Sequence, residues 1–296
     1  MTQPFDLQGH RGARGLFAEN TLEGFRRTLA LGVAAIEIDV AMTADNVLVL
    51  SHDPALNPDI TRDAGGRWLD GQRPLIRTLP AAALAIYDVG RIRPASAYAA
   101  LYPEQAPIDG ARIPTFAEAL RLDPAARFTV EIKSFPDHPA WTAAPEAMAE
   151  AVAAVADAAG AASRIVVQSF DWRGPRHLRR LRSDLAYAWL TSAQTVAAAR
   201  LWWGGPAPED FGGSVPRAVA AEGGSIWAPA FADLTQASLA EAHGLGLRVV
   251  PWTVNLPEDM RRLLRWGVDG MITDRPDLAR RCVAEAGLGL PPSKVD

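Results

Sequence analysis

The chain has 296 residues, of which 49% are hydrophobic and 22% are charged, so it can bury a large core and lacks the composition of a disordered protein. Its formal net charge of −4 argues against a nucleic-acid-binding surface, which would need clustered excess lysine and arginine. The single cysteine, Cys282, excludes an intramolecular disulfide and a zinc site built from cysteines.

Short apolar segments alternate with helical patterns along the chain. The predicted strands are apolar throughout, as parallel strands buried on both faces are. They are Leu7–His10, Ala35–Val40, Phe128–Ile132, Ile165–Gln168, Ala186–Leu190, Ser225–Ala228, Arg248–Thr253 and Gly270–Thr273. The predicted helices are Thr21–Leu31, Pro145–Ala159, Arg173–Leu181, Ala193–Trp203, Leu234–His243, Pro257–Trp266 and Pro276–Ala286. This alternation predicts a closed (β/α)8 TIM barrel, with a doubly wound open sheet as the alternative.

Two segments interrupt the alternation. Val47–Leu50 follows the second strand after a turn-like stretch, and we predict that it forms a short hairpin carrying His52. Residues from about 54 to 114 are rich in glycine and proline and contain only short helical pieces. Loops of this length in a compact domain are usually functional or lid-like. We therefore predict one domain over residues 1–296, a barrel with a long insertion after the second strand.

The sequence gives no sign of a membrane segment. No stretch approaches the roughly 20 apolar residues that a spanning helix needs, so we predict no stable membrane insertion. The N-terminus has no basic region followed by an apolar segment, as a secretion signal would. We therefore expect a cytoplasmic protein, and its oligomeric state is left open.

Polar and charged residues gather where the predicted strands end. In a (β/α)8 barrel these C-terminal ends form one rim, and active sites of such barrels lie there. The strand ends are Gly9-His10-Arg11-Gly12, Glu37-Ile38-Asp39, Ser51-His52-Asp53, Glu131-Ile132-Lys133, Gln168-Ser169-Phe170, Trp252-Thr253-Val254-Asn255 and Thr273-Asp274-Arg275-Pro276. We therefore expect the functional site at this rim.

Carboxylates at the rim suggest a metal. Glu37 and Asp39 are two residues apart on a strand, so their side chains point to the same face. Two buried carboxylates repel each other and lose solvation unless a cation lies between them. A metal with Glu131 as a third ligand is one resolution, and all-carboxylate ligation favours Mg²⁺ or Ca²⁺ over zinc. A structural network of salt bridges with Arg11 and Lys133 is the other.

His10 and His52 fall at predicted strand ends of this rim, whereas the other three histidines lie in helix or loop contexts. Two imidazoles beside a carboxylate cluster suit proton transfer on both sides of a phosphorus atom. One removes a proton from the attacking hydroxyl, and the other protonates the departing alkoxide. Arg11 and Lys133 can neutralise charge on the phosphate oxygens. An unrelated metal-dependent sugar-phosphate barrel would explain the acids but not the paired histidines.

Short motifs occur in a fixed order along the chain. They are Gly9-His10-Arg11-Gly12, Glu19-Asn20-Thr21, Glu37-Ile38-Asp39, His52-Asp53, Glu131-Ile132-Lys133, Trp252-Thr253-Val254-Asn255, Gly267-Val268-Asp269-Gly270 and Thr273-Asp274. Together, from about residue 6 to residue 285, they resemble the bacterial glycerophosphodiester phosphodiesterase family. The resemblance implies a TIM barrel with an insertion after the second strand. It also implies hydrolysis of small glycerophosphodiesters, such as glycerophosphocholine or glycerophosphoethanolamine, to sn-glycerol 3-phosphate and an alcohol.

The resemblance also implies roles for individual residues. His10 and His52 would be the catalytic pair. Glu37, Asp39 and Glu131 would hold one divalent cation, Mg²⁺ or Ca²⁺. The residues that would bind phosphate or line the substrate pocket are Arg11, Lys133, Gln168 and Trp252. Glu19-Asn20-Thr21 would either cap the first helix or reach the site, and Phe170 and Trp227 would be core residues or pocket walls.

The mechanism and two rival functions stay open at this point. Either the glycerol 2-hydroxyl attacks phosphorus and gives a cyclic phosphate that water then opens, or water attacks directly. A related barrel phospholipase acting on lysophospholipids, similar to phospholipase D-like enzymes, would need an exposed apolar rim for membranes. A non-catalytic module that binds phosphate ligands would be expected to lack a histidine or a metal carboxylate, and this chain has all of them.

Overall fold

A computed structural model describes residues 5–71 and 73–294. Within that range, eight parallel strands lie side by side in the order β8-β7-β6-β5-β4-β2-β1-β9, and β3 pairs with β2 in antiparallel fashion. The strands are β1 (Asp6–His10), β2 (Ala35–Met42), β3 (Leu48–Leu50), β4 (Phe128–Ile132), β5 (Ile165–Ser169), β6 (Ala186–Thr191), β7 (Ile226–Pro229), β8 (Arg248–Val249) and β9 (Gly270–Thr273). The predicted hairpin before His52 is confirmed as β2 and β3.

The barrel closes between β8 and β9. Asp269 N–H donates to the carbonyl of Val249 (3.0 Å), and Ile272 N–H donates to the carbonyl of Pro251 (2.9 Å). The barrel alternative is therefore confirmed over the open sheet. The strand predicted over Arg248–Thr253 is shorter than expected as β8, because Pro251 has no N–H to continue a regular ladder.

Helices follow the strands around the outside of the barrel. They are α1 (Leu22–Leu31), α2 (Ala81–Leu84), α3 (Ala97–Leu101), α4 (Phe116–Arg121), α5 (Pro145–Ala158), α6 (Arg173–Leu181), α7 (Ala193–Ala197), α8 (Ala199–Trp202), α9 (Val215–Ala221), α10 (Gln236–Gly244), α11 (Pro257–Trp266) and α12 (Pro276–Glu285). The single helix predicted over Ala193–Trp203 is wrong, because Ala198 leaves the helical conformation at φ −116° and ψ 34°. Helices α4 and α9 were not predicted. None of the helices in the described range is long and apolar enough to cross a membrane.

The two faces of β2 have different environments. Ile36, Ile38 and Val40 pack in the large apolar core between strands and helices. Glu37 and Asp39 alternate with them and therefore face the barrel interior. A separate apolar cluster includes Leu56, Ile76 and Leu84 and lies in the segment between β3 and α4. The division of the chain into one domain with an insertion at about 54–114 stays a prediction.

Candidate active site

The turn after β1 presents His10 and Arg11 at the rim. Gly9 is packed so closely that a Cβ atom there would lie 1.9 Å from the carbonyl oxygen of Gly12. Arg11 and Gly12 both adopt left-handed backbone conformations, with φ of 51° and 91°. This tight turn directs the Arg11 N–H onto Glu37 Oε2 at 3.0 Å. The glycines of the first motif therefore have a local role in shaping the site.

Strand register brings the three predicted metal ligands together. His10 is paired with Glu37 across β1 and β2, and Asp39 with Glu131 across β2 and β4. Carboxylate oxygens of Glu37, Asp39 and Glu131 all lie within 4.8 Å of one another. We refer to these three residues as the acidic cluster. All three are buried, with 1%, 0% and 7% of their surfaces exposed, respectively.

Burial makes charge costly in the acidic cluster. It raises the pKa of Glu37 well above the usual range, and the neighbouring charges of Asp39 and Glu131 raise it further. Burial also raises the pKa of Glu131, despite the opposing charge of Lys133. The pKa of Asp39 is below its usual range, because Lys133 and nearby basic groups outweigh the effect of burial. The cluster therefore carries repulsion that its protein neighbours relieve only in part.

The cations around the acidic cluster leave room for a further positive charge. Lys133 Nζ lies 2.6 Å from Glu131 Oε1 and 3.6 Å from Asp39 Oδ1. Arg11 Nε is 3.5 Å from Asp39 Oδ2, but its NH1 group donates to Glu19. Within the described range, Asp39 Oδ1 is buried without a hydrogen bond. The salt bridges expected from sequence therefore form, yet the oxygen donors still suit a hard divalent cation.

His10 is held by residues from the opposite end of the chain. Its Nδ1 atom is 2.7 Å from Asp274 Oδ1, just after β9, and its Nε2 atom is 3.9 Å from Glu37 Oε2. Arg14 Nε donates to the same Asp274 oxygen at 2.8 Å, and Asn255 donates to Asp274 Oδ2 at 2.7 Å. Burial lowers the pKa of His10, although Asp274 opposes that change. The imidazole is therefore held in a fixed orientation, with Nε2 directed toward the acidic cluster.

His52 has a similar partner but a more open setting. Its Nδ1 atom is 2.8 Å from Oδ1 of Asp53, the next residue in the chain. Burial lowers the pKa of His52 to about 4, while 34% of its side chain remains exposed. A carboxylate on Nδ1 favours the tautomer whose Nε2 is free to accept a proton.

A cavity of about 110 Å³ connects these groups. Its walls are His10, Arg11, Arg14, Glu37, His52, Glu131, Gln168, Phe170, Leu190, Trp252, Thr253 and Ile272. Gln168 Nε2 donates to Glu37 Oε1 at 3.5 Å. Trp252 donates from Nε1 to the carbonyl of Ala228 and packs edge-on against Phe170, with ring centroids 5.2 Å apart. Asp39 and Lys133 are not among the walls of this cavity, and Lys133 contacts it through Glu131.

The sequence left open whether Glu19-Asn20-Thr21 caps the first helix or reaches the site, and the structure shows that it does both. Thr21 caps α1, since its side chain accepts a hydrogen bond from Gly24 N–H. Asn20 donates to Asp39 Oδ2 at 3.0 Å, so it contacts the acidic cluster. Glu19 accepts from Arg11 NH1 and also contacts the Tyr98 hydroxyl. The motif therefore contains both a helix cap and groups that hold the site.

Phe170 is a cavity wall, whereas Trp227 is buried and donates from Nε1 to the Thr191 hydroxyl. Sequence reasoning gave no role to Asp274 or Arg14, which hold His10. The position of Asp274 at a strand end was a usable signal for it. Arg14 lies in a loop outside every motif, so nothing in the sequence pointed to it.

Comparisons with known proteins identify the family of the chain. A profile of the glycerophosphoryl diester phosphodiesterase family matches residues 10–278. The chain belongs to this family. A glycerophosphodiester phosphodiesterase from Bacillus subtilis (strain 168) is 27% identical over 272 residues, which cover 91% of this chain and 83% of that protein. The chain is thus an enzyme of the class that hydrolyses glycerophosphodiesters.

Solved structures are similar over almost the whole chain. A protein from Silicibacter pomeroyi DSS-3, provisionally named a glycerophosphoryl diester phosphodiesterase, has 39% identity and a TM-score of 0.88, covering 98% of this chain and 96% of that one. A phosphodiesterase from Oleispira antarctica, solved in complex with its product sn-glycerol-3-phosphate, has 19% identity and a TM-score of 0.70. It covers 95% of this chain and 97% of that one, and at this identity the likeness concerns the fold.

Proposed function

We propose that this enzyme hydrolyses small glycerophosphodiesters, such as glycerophosphocholine or glycerophosphoethanolamine, to sn-glycerol 3-phosphate and an alcohol. The observation that carries the proposal is one cavity lined by parts of an acidic cluster and by two imidazoles, each paired with a carboxylate. The sn-glycerol-3-phosphate product in the Oleispira antarctica relative supports the identity of the product.

Glu37, Asp39 and Glu131 would hold one divalent cation, Mg²⁺ or Ca²⁺. Their oxygen-only donor set fits such an ion, as does Asp39 Oδ1, which accepts no hydrogen bond from the described residues and has only the Lys133 ammonium 3.6 Å away. When bound, the ion would polarise the phosphoryl group and lower the pKa of a nearby hydroxyl. It would also offset the repulsion that raises the pKa of Glu37.

Arg11 and Lys133 would neutralise the phosphate. Both are buried, and both already contact acidic side chains, so their charged groups are held in fixed directions. Fixed cations in a partly desolvated site favour charge that develops on phosphate oxygens. Gln168 and Trp252 would contact the glycerol part of the substrate from the cavity wall.

His10 and His52 would move the protons. Each has its Nδ1 atom on an aspartate, which orients the ring and leaves Nε2 for exchange with the substrate. One imidazole would accept the proton of the attacking hydroxyl, and the other would give a proton to the departing alcohol oxygen. The attacking group would be the glycerol 2-hydroxyl, giving a cyclic phosphate that water opens with the roles reversed. A substrate without that 2-hydroxyl separates this route from direct attack by water, because normal turnover would rule out the cyclic route.

The function is tested with purified protein and three substrates. Glycerophosphocholine, glycerophosphoethanolamine and a lysophospholipid are each assayed in EDTA and with added Mg²⁺ or Ca²⁺. We expect metal-dependent release of sn-glycerol 3-phosphate from the first two. Turnover of the lysophospholipid alone would favour the phospholipase alternative, and binding without turnover of any of the three would favour a non-catalytic module.

A further inference from the structure

Two further spaces lie on the His52 side of the active-site cavity. His52 and Asp53 line a small adjoining cavity together with Leu56 and Asn57. Asp53, Leu56 and Asn57 also line a groove of about 510 Å³ whose far walls include Arg73 and Trp141. We call this space the Trp141 groove. These shared residues place the Trp141 groove on the His52 side of the acidic cluster, beyond the small adjoining cavity.

Trp141 forms a fixed aromatic wall. Its ring stacks on His138, with centroids 3.9 Å apart and planes 15° apart, and packs edge-on against Phe135. Arg77 NH1 donates to the carbonyls of Ala140 (3.1 Å) and Thr142 (2.8 Å), which ties this loop to the segment after β3. Trp141 is nevertheless 38% exposed. An indole held in place beside a groove gives contact area at little cost in conformational freedom.

The polar groups of the groove are mainly hydrogen-bond donors. Within the part of the chain that the structure describes, Arg73 is exposed and pairs with no carboxylate. Asn57 uses its Oδ1 atom to accept from Asp59 N–H at 2.9 Å, which leaves its amide N–H groups for a ligand. Asp53 is the one carboxylate among the groove walls, and His52 already contacts it.

This set of groups fits hydroxyls better than a quaternary ammonium. Sites for quaternary ammonium groups surround the cation with several aromatic faces. Among the described residues that line the Trp141 groove, Trp141 is the one aromatic side chain, and the guanidinium of Arg73, which pairs with no carboxylate there, repels a cation. A ring of hydroxyl-bearing carbons can pack its apolar face on the indole and offer oxygens to Arg73 and Asn57.

We propose that the Trp141 groove binds the alcohol part of the substrate and that it selects a polyol, such as an inositol ring, over choline or ethanolamine. This inference rests on the proposed phosphodiesterase function and names the substrate class of that same site. Trp141 and Arg73 are the residues that determine the preference.

The test compares two substrates in one assay. kcat/KM is measured with sn-glycerol 3-phosphoinositol and with glycerophosphoethanolamine for the wild type and for W141A, W141F, R73A and R73K. We expect the wild type to prefer the inositol substrate. W141A should lower the ratio of the two kcat/KM values about tenfold, the effect of losing roughly 1.4 kcal/mol of contact energy. R73A should lower it about threefold, and W141F and R73K should restore part of each loss.

Matched controls use side chains outside the groove. Leu245 is 42% exposed at the end of α10, and Arg67 is exposed and paired with Asp63, so L245A and R67A should leave the ratio unchanged. A ratio within twofold of wild type in both W141A and R73A, with turnover retained, would overturn the groove assignment and leave the phosphodiesterase function standing. A selective loss of glycerophosphoethanolamine turnover in W141A would overturn the polyol assignment. Failure of the wild type to hydrolyse any glycerophosphodiester would overturn both proposals.

Discussion

Both catalytic-site histidines contact an aspartate through Nδ1, but the two aspartates come from different parts of the chain. His52 pairs with the next residue in the chain, whereas His10 pairs with Asp274, which is 264 residues away. The His10 pair is buried and its aspartate receives further hydrogen bonds from Arg14 and Asn255. The His52 pair is half-exposed, and Asp53 has 39% of its side chain exposed. One end of the cavity is therefore closed and fixed, whereas the other end is more exposed to solvent.

The largest expected effect is that of removing the divalent cation that the acidic cluster would hold. Removing divalent cations with EDTA should lower kcat on a glycerophosphodiester by at least about 10³-fold, because charge on the phosphate would lose several kcal/mol of stabilisation. E37Q should reproduce most of this loss, whereas E150Q, at an exposed acid outside the cavity, should not. Restoration by added Mg²⁺ or Ca²⁺ is measured in the same assay. Full activity in EDTA would contradict the assignment of the acidic cluster.

Variants that lack either imidazole test whether the two imidazole–aspartate pairs are equally necessary for turnover. H10A and H52A should each lower kcat by at least about 10²-fold with the fold intact, the usual scale for losing a general acid or base. H177A is the control, since His177 pairs with Glu150 on the outside of the barrel. Steady-state kinetics together with circular dichroism make the comparison. A near-normal rate in either variant would remove that histidine from the mechanism.

The two aspartates should differ in the size of their effects. D274N should lower kcat by roughly 10- to 100-fold, because it changes the buried group that orients His10. D53N should cost only about threefold, since solvent can replace part of an exposed hydrogen bond. For D274N we expect the change in kcat rather than in KM, because Asp274 lines neither the active-site cavity nor the Trp141 groove. Equal losses in the two variants would show that burial does not distinguish the pairs.

A smaller effect is expected on metal affinity as pH falls. Burial, Asp39 and Glu131 raise the pKa of Glu37, so this carboxyl group holds a proton to a higher pH than usual. An incoming cation must displace that proton, so the Mg²⁺ affinity should weaken by up to about tenfold per pH unit as pH falls below the raised pKa. Calorimetry in buffers of different ionisation enthalpy measures the released proton. An affinity independent of pH from 5 to 8, or E37Q with the wild-type pH dependence, would refute this origin.

The sequence was sufficient for the barrel because buried parallel strands are apolar throughout and can be counted. It also supplied Glu37 and Asp39 on one face, since side chains alternate along a strand. It failed where a single residue changes a local boundary, as Pro251 does in β8 and Ala198 does between α7 and α8. These boundaries depend on tertiary hydrogen bonding, which periodicity does not report.

The candidate site could be predicted from the sequence about as far as the fold could. The rule that strand ends share one rim predicts that His10, His52 and the acidic cluster lie together. The pairing of His10 with Asp274 could not be predicted from the sequence. It depends on how the barrel closes, because several rim residues could make each contact. Arg14 and Trp141 lie in loops, where no periodic pattern fixes the direction of a side chain.

The contact between the first and last strands has a consequence for biosynthesis. Because β1 pairs with β9, the orienting partner of His10 is synthesised 264 residues after His10 itself. A growing chain on the ribosome therefore has His52 with its aspartate long before His10 acquires its own. Catalytic competence should therefore arise only once β9 has docked beside β1, and a truncated chain that lacks β9 should be inactive.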